Sequence, residues 1–280
     1  MPVYTIETHG QLRPALEQEW LLTNGLGGFT SGTVAGCNAR RYHALLCAAT
    51  LPPVGRVVAL NRLGEILTID GADVHELSVN QFGPDTFHPH GERYLRRFEL
   101  WDTARWEYDV AGVRVAKEVL LCWKRDVVAV RYRIEPPRGK RAQLELLPMV
   151  SIRDFHSLQV GTDKRYGVHA GDERVAVTSE KHTLHLRCAG GATFKGTPDW
   201  WKGHWYGIEA ERGQDHVEDL YTPGRFVAQV NDGGATVTIL ASMAPVESID
   251  WDAEVPRWHS SPAPRTISSS SGNVPTARRA

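Results

Sequence analysis

Along much of this chain apolar and polar residues alternate one for one, which is the period of a strand with a single buried face. From Asp126 to Ile134, Val128, Val130, Tyr132 and Ile134 fall on one side and Arg131 and Arg133 on the other. Comparable runs occupy Val113 to Cys122 and Leu184 to Cys188, and two more flank Asn231-Asp232-Gly233-Gly234, a composition that signals a hairpin turn. Asp70-Gly71-Ala72-Asp73 sits the same way between Glu65–Ile69 and Val74–Leu77. Helical periodicity longer than two turns is scarce before residue 245, and 26 glycines with 16 prolines interrupt it. The pattern predicts an all-β chain: a large antiparallel β-sandwich of the supersandwich kind, with few short helices. No repeat of fixed period points to a propeller.

Composition narrows the picture without changing it. The 280 residues are 41% hydrophobic and 23% charged, enough for a substantial core. Past Trp251 the chain turns to Ser, Pro, Ala and Arg, so residues 1–255 are expected to form the folded domain and residues 256–280 a disordered low-complexity tail. A net charge of −1 supplies no field for a phosphate backbone, which argues against nucleic acid as partner and suits a neutral ligand. Cys37, Cys47, Cys122 and Cys188 form no Cys-x-x-Cys pair, so neither a metal site nor a disulfide framework is predicted; buried thiols in a reducing compartment are. The start lacks the features of a signal peptide and no run of about 18 apolar residues exists, which predicts a soluble cytoplasmic protein with no membrane association.

Candidate chemistry gathers in three motifs. In the first, Asn24-Gly25-Leu26-Gly27-Gly28 is a shaped glycine loop, with Asn24, Gly27 and Gly28 as ligand-facing candidates; it lacks the strand, helix and distal acid of a dinucleotide site and the Gly-Lys-Ser/Thr of a P-loop. It is followed by Arg40-Arg41-Tyr42-His43, where a strand would put Arg41 and His43 on one face and Tyr42 on the other. Planar donors beside a ring suit sugars, whose hydroxyls accept hydrogen bonds while their C–H faces stack. The second motif, Leu147 to His156, is an apolar strand end opening into Arg153, Asp154 and His156. The third runs from the aromatic cluster Trp200-Trp201-Lys202-Gly203-His204-Trp205-Tyr206 to Glu211-Arg212-Gly213-Gln214-Asp215-His216-Val217-Glu218-Asp219. Trp201 and Trp205 are candidate platforms, and Arg212 is expected to counter the charges of Glu218 and Asp219. Glu209, Glu211, Glu218 and Asp219 carry no spacing that marks a glycosidic acid and base, whose separation of roughly 6.5 to 9.5 Å for inversion is set in space. A purely structural role for each motif remains open from the residues alone.

The segment EWLLTNGLGGFTSGTVAGCNARRYHALLCAATLPPVGRVV resembles the N-terminal domain of bacterial and archaeal glycogen debranching enzymes of the amylo-α-1,6-glucosidase type, and the second and third motifs resemble the same domain. The resemblance implies a sandwich that packs against an (α/α)₆ glucosidase barrel, which this chain does not contain. It also implies that catalytic acid and base lie in that barrel, so that this chain holds no catalytic residue, takes no cofactor, and binds and positions a branched α-glucan such as glycogen or limit dextrin. The tail then reads as a truncation, a frameshift product or a linker remnant. Three alternatives stay beside this one: hydrolysis of α-1,6 branches by the chain alone, a sugar-epimerase-like sandwich using His156, His169 or His204, and a non-catalytic module that docks a separate helical glucosidase.

Overall fold

A computed structural model describes residues 4–52 and 54–255, together with the backbone of Thr266–Ser269. Two large antiparallel sheets face each other. The first has nine strands in the order Tyr4–Glu7, Leu95–Leu100, Ala104–Val110, Val113–Leu121, Val127–Glu135, Ala235–Ser242, His182–Ala189, Arg174–Ser179 and Gly167–Ala170. The second runs Ala192–Lys195, Arg225–Val230, Ala142–Asp154, Gly55–Ile69, Ala44–Leu51, Phe29–Thr33, Gln18–Thr23 and Thr266–Ser269. Val217–Thr222 joins it by pairing with both Ala142–Asp154 and Asp199–Trp205, and Asp73–Glu76 pairs with Gly55–Ile69. Val79–Gly83 and Thr86–His90 form a separate hairpin, and the helices are short, as at Leu12–Glu17 and Gly207–Glu211.

The alternation read from the sequence explains the layering. Val128, Val130, Tyr132 and Ile134 are buried between the sheets while Arg131 and Arg133 face out. Large rings interlock across the gap: Trp20 of the second sheet meets Trp106 of the first edge-on at 5.2 Å, and Phe98 packs on Trp106 at 4.9 Å. Both indole N–H groups are satisfied by backbone carbonyls, Trp20 by Thr33 at 3.3 Å and Trp106 by Val34 at 2.8 Å. One ion pair is sealed into this core. Lys117 of the first sheet reaches Glu65 of the second at 2.6 Å, and the same carboxylate accepts Tyr132 Oη at 2.8 Å and Ser78 Oγ at 2.9 Å. Burial opposes the charge on Glu65, yet Lys117 and these hydroxyls hold its carboxyl below the usual range.

The outer face of the first sheet is tiled with charge. Glu99, Arg105, Glu118 and Arg131 stand opposite one another in register across four strands, and Glu118 also takes Arg133 at 3.0 Å. The segment 251–254 lies on this face, placing the Trp251 ring 3.9 Å from the Arg131 guanidinium and pinning Glu254 to Arg125 at 2.6 Å.

Several expectations change in detail. Asn231–Gly234 is a turn, with Gly234 N–H on the Asn231 carbonyl at 2.9 Å, but the flanking strands do not pair: Arg225–Val230 lies in the second sheet and Ala235–Ser242 in the first, so the turn carries the chain between layers. Arg40–His43 is not a strand. It is a turn closed by His43 N–H on Arg40 O at 3.0 Å, and the strand begins only at Ala44. The tryptophan-rich segment is the strand Asp199–Trp205, broken by a bulge at Gly203, whose φ of 75° suits glycine. All four cysteines are buried and free, as predicted. Of the segment 256–280, Thr266–Ser269 pair with Gln18–Leu21; the disorder expected for the remainder falls outside the described residues. No helix among the described residues is long and apolar enough to cross a membrane, a finding that does not extend to β-barrels.

Candidate functional site

The first two motifs and part of the third meet at one end of the second sheet, where a closed circuit of buried hydrogen bonds underlies the Arg40–His43 turn. Asn38 Nδ2 donates to the His43 carbonyl at 3.2 Å and to Asn61 Oδ1 at 2.8 Å. Asn61 Nδ2 donates to Tyr206 Oη at 3.2 Å, and Tyr206 in turn donates to Glu218. Glu218, which has no exposed surface, is gripped by the Arg153 guanidinium through both carboxylate oxygens. Arg153 Nη2 closes the circuit by donating to the Arg41 carbonyl at 2.9 Å. Burial works against the Arg153 charge, but the facing Glu218 carboxylate holds it firmly cationic, while burial and the same carboxylate push the Tyr206 phenol well above its ordinary range.

A second buried contact fixes the other side of the turn. The Ala39 N–H donates to His43 Nδ1 at 3.1 Å, so the ring proton sits on Nε2, which faces Glu19 at 3.2 Å. Arg40 grips the same carboxylate at 2.6 and 3.2 Å. Although burial raises the Glu19 pKa, the hydrogen bonds from His43 and Arg40 bring it down to about 2. His43 is thus a buried support.

Above these supports the surface is aromatic. Tyr42 lies 5.6 Å from Phe155 and 5.8 Å from His156, and its hydroxyl meets His156 Nδ1 at 3.3 Å. The Phe155 and His156 rings lie 3.9 Å apart, tilted by 46°, and Asp154 Oδ1 accepts the His156 N–H at 2.9 Å. Tyr42 and Phe155 are half-buried; Asp154 and His156 are exposed. The rim of the patch reaches the glycine loop through Arg56, whose guanidinium sits 5.2 Å from the Phe155 ring while its Nε donates to the Gly27 carbonyl at 2.6 Å.

Residues 18–237 match the model of the glycogen debranching enzyme N-terminal family. The chain belongs to that family. No curated protein matches it. Among solved structures, a bacterial glucoamylase complexed with acarbose aligns with 92% of this chain and 33% of its own, at 10% identity and a TM-score of 0.37. The heparan sulfate lyase HepC of Pedobacter heparinus aligns over 65% of this chain and 24% of its own, at 12% identity and 0.38. A polysaccharide lyase does so over 86% and 32%, at 10% and 0.35. This chain therefore spans a third or less of the length of each of these proteins.

Every candidate residue of this debranching-family chain falls within the matched span, but they do not share one role. Asn24 is buried and its amide is fully used: Oδ1 accepts the N–H groups of Leu26 and Gly28 at 2.9 and 3.0 Å, and Nδ2 donates to Arg125 O and Asp126 at 3.0 and 2.8 Å. Gly28 is required by that packing, since a Cβ there would lie 2.6 Å from Asn24 Nδ2. The loop is thus a tie between Gln18–Thr23 and the 122–126 turn, linked to the patch through the Gly27 carbonyl on Arg56. Asp219 caps two backbone N–H groups, Gly161 and Gly203, each at 2.8 Å. Arg212 is exposed at the end of the short helix, and the guanidinium on Glu218 is that of Arg153; the expected Arg212 network is replaced because Val217–Thr222 pairs beside Ala142–Asp154, which brings Arg153 closer. Trp200, Trp201 and Trp205 are all half-buried; Trp205 packs edge-on against His216 at 4.1 Å, and Trp200 leans on Tyr221 at 5.5 Å.

The sequence motifs do not single out Asn38 or Asn61, and Tyr206 enters them only as the last ring of the aromatic cluster. The available signal was Asn61-Arg62 interrupting an otherwise apolar strand, since a polar residue at a core position needs a partner.

His204 gives the site an acid limit. It is buried against Phe82 at 5.2 Å, and burial, reinforced by the nearby Arg62 charge, lowers its pKa from 6.5 to about 3. The unfolded chain takes up a proton below pH 6.5 that the folded chain refuses, so this group's contribution is intact above that pH and declines as pH falls toward 3. At pH 5 the deficit is about 2 kcal/mol. His204→Phe should flatten the stability difference between pH 7.5 and pH 5 by that amount in urea unfolding; an unchanged slope would refute the assignment.

Proposed function

We propose that this chain binds and positions a branched α-glucan for a helical-barrel glucosidase supplied in cis or in trans, in the cytoplasm. The observation that carries the reading is the patch of Tyr42, Phe155 and His156, partly open above, rimmed by Arg41 and Asp154, and anchored below by the Arg153–Glu218 pair. Rings held edge to face beside charged planar groups offer a sugar both stacking and hydrogen bonding. Membership in the debranching family supports a glucan as the ligand, and the near-zero net charge suits a neutral one.

Binding rather than hydrolysis is favoured by the state of the carboxylates. Glu218 and Glu209 are fully buried, and Glu218 is committed to Arg153 and Tyr206. Hydrolysis is therefore assigned to the barrel. The epimerase-like alternative needs a base beside an acid, and among the described residues none of the His156, His169 and His204 rings hydrogen-bonds a carboxylate.

Affinity electrophoresis in glycogen-containing gels tests the proposal. The wild-type chain should be retarded, and Tyr42→Ala should weaken the interaction roughly five- to tenfold, the worth of one ring contact. Trp201→Ala with Trp205→Ala reads whether the second aromatic strand contributes. Wild-type mobility that ignores glycogen would sink the reading.

A further inference from the structure

Glu209 is the anomaly of this site. Its side chain has no exposed surface, and neither carboxylate oxygen has a hydrogen-bond partner. Buried carboxylates without hydrogen bonds are rare, because desolvation favours leaving them in water or pairing them. The cation facing it is Arg41, with Nε at 3.6 Å and itself without a hydrogen bond. The short helix Gly207–Glu211 that carries Glu209 is stitched in place from both sides: Ile208 N–H donates to Ala39 O at 3.0 Å, and Gln214 N–H to Glu209 O at 2.9 Å. Those ties fix the backbone that carries the carboxylate opposite Arg41.

Arg41 spends its remaining donors on two different loops. Nη1 donates to His156 O at 2.9 Å, and Nη2 to Asp215 O at 2.8 Å and Gln214 Oε1 at 3.2 Å. The first loop carries Phe155 and His156; the second carries His216, which packs on Trp205. The side chain is therefore a clasp between the two aromatic surfaces. If Arg41 swung out to solvent it would leave a bare, fully buried carboxylate behind, which is strongly unfavourable.

We infer that Glu209 is a positioning residue: its buried charge locks Arg41 in the clasped rotamer and so holds the 155–160 and 212–216 loops in fixed relation for the ligand. Resting on the glucan-binding reading, this gives the site a preorganised frame, and preorganisation raises affinity by removing the cost of ordering loops on binding. Glu209 itself touches no ligand.

The test uses Glu209→Gln, Arg41→Gln and the double variant of the full chain. Amide hydrogen exchange of both loops should rise about tenfold in Glu209→Gln, with the core strand Val127–Glu135 unchanged, and the double variant should match Arg41→Gln rather than sum the two. Glycogen affinity should fall about tenfold in each single variant and no further in the double. Wild-type exchange in both loops of Glu209→Gln, or strictly additive effects, would overturn the inference. Should Glu209→Gln fail to fold, Arg41→Lys keeps a charge beside Glu209 but loses the fork that spans the loops; faster loop exchange is then expected and unaltered exchange is fatal. A wild-type chain that ignores glycogen removes the functional reading alone, because the exchange measurement decides the clasp without any ligand.

Discussion

Arg153→Met should lower the unfolding free energy by about 3–5 kcal/mol, because it strands a carboxylate that has no access to water. Glu218 is fully buried, and both of its oxygens lean on the Arg153 guanidinium. Tyr206, Asn61 and the Gln159 N–H at 3.3 Å would remain, but none of them brings a positive charge. The same substitution removes the donor on Arg41 O and two longer bonds to the carbonyls of Asp154 and Phe155, so the loss propagates to the turn and the aromatic patch. Arg153→Lys should recover only part of the stability, since an ammonium cannot reproduce a fork that serves a carboxylate and three carbonyls together. Urea unfolding near neutral pH measures both. A loss under about 1 kcal/mol for Arg153→Met would mean that the circuit beneath the turn does not carry the stability assigned to it here.

The second large effect belongs to the core between the sheets. Lys117→Met alone should cost about 3–5 kcal/mol, again by leaving a buried carboxylate, Glu65, without its cation. Adding Glu65→Gln should recover most of that loss and bring the double variant to within about 1 kcal/mol of wild type, because glutamine can still accept from Tyr132 and engage Ser78 while carrying no charge into an apolar interior. The comparison separates two roles for the pair. If the double variant is as unstable as the single, the ionic attraction itself holds the layers together; if it recovers, hydrogen bonding and packing do. The rings of Trp106 and Tyr132, 5.3 and 6.0 Å from the Lys117 ammonium, give the methionine side chain apolar surface to occupy.

The fold was legible because its main signal is local. Alternation along 126–134 puts Val128, Val130, Tyr132 and Ile134 inside and Arg131 and Arg133 outside, and the structure keeps those six assignments. What sequence could not supply was partnership at a distance. Asn231–Gly234 looks the same whether its flanking strands pair or part, since turn chemistry depends on four residues while sheet membership depends on the whole chain. The same limit governs the site. Arg41, Tyr42, Arg153 and His156 were picked out by residue type and do come together, yet Arg212 stood closer to Glu218 in sequence than Arg153 and loses to it in space. Asn24 reads from the sequence as a ligand-facing candidate and proves to be an internal brace, because one side chain able to bind two N–H groups and donate twice is also what a tight glycine loop needs.

The lattice of alternating signs on the outer side of the nine-stranded sheet has a consequence for assembly. Arg105, Arg131 and Arg133 converge on Glu118, Glu99 pairs with Arg97 at 2.6 Å, and the Trp251 ring already lies over Arg131. Covering such a surface with another body would strip hydration from many ions whose partners are already chosen, while the centres of protein contacts are typically depleted of charge. That side of the molecule is finished. If a companion joins through a broad dry seam, the layer that bears Tyr42 and Trp205 suits it better.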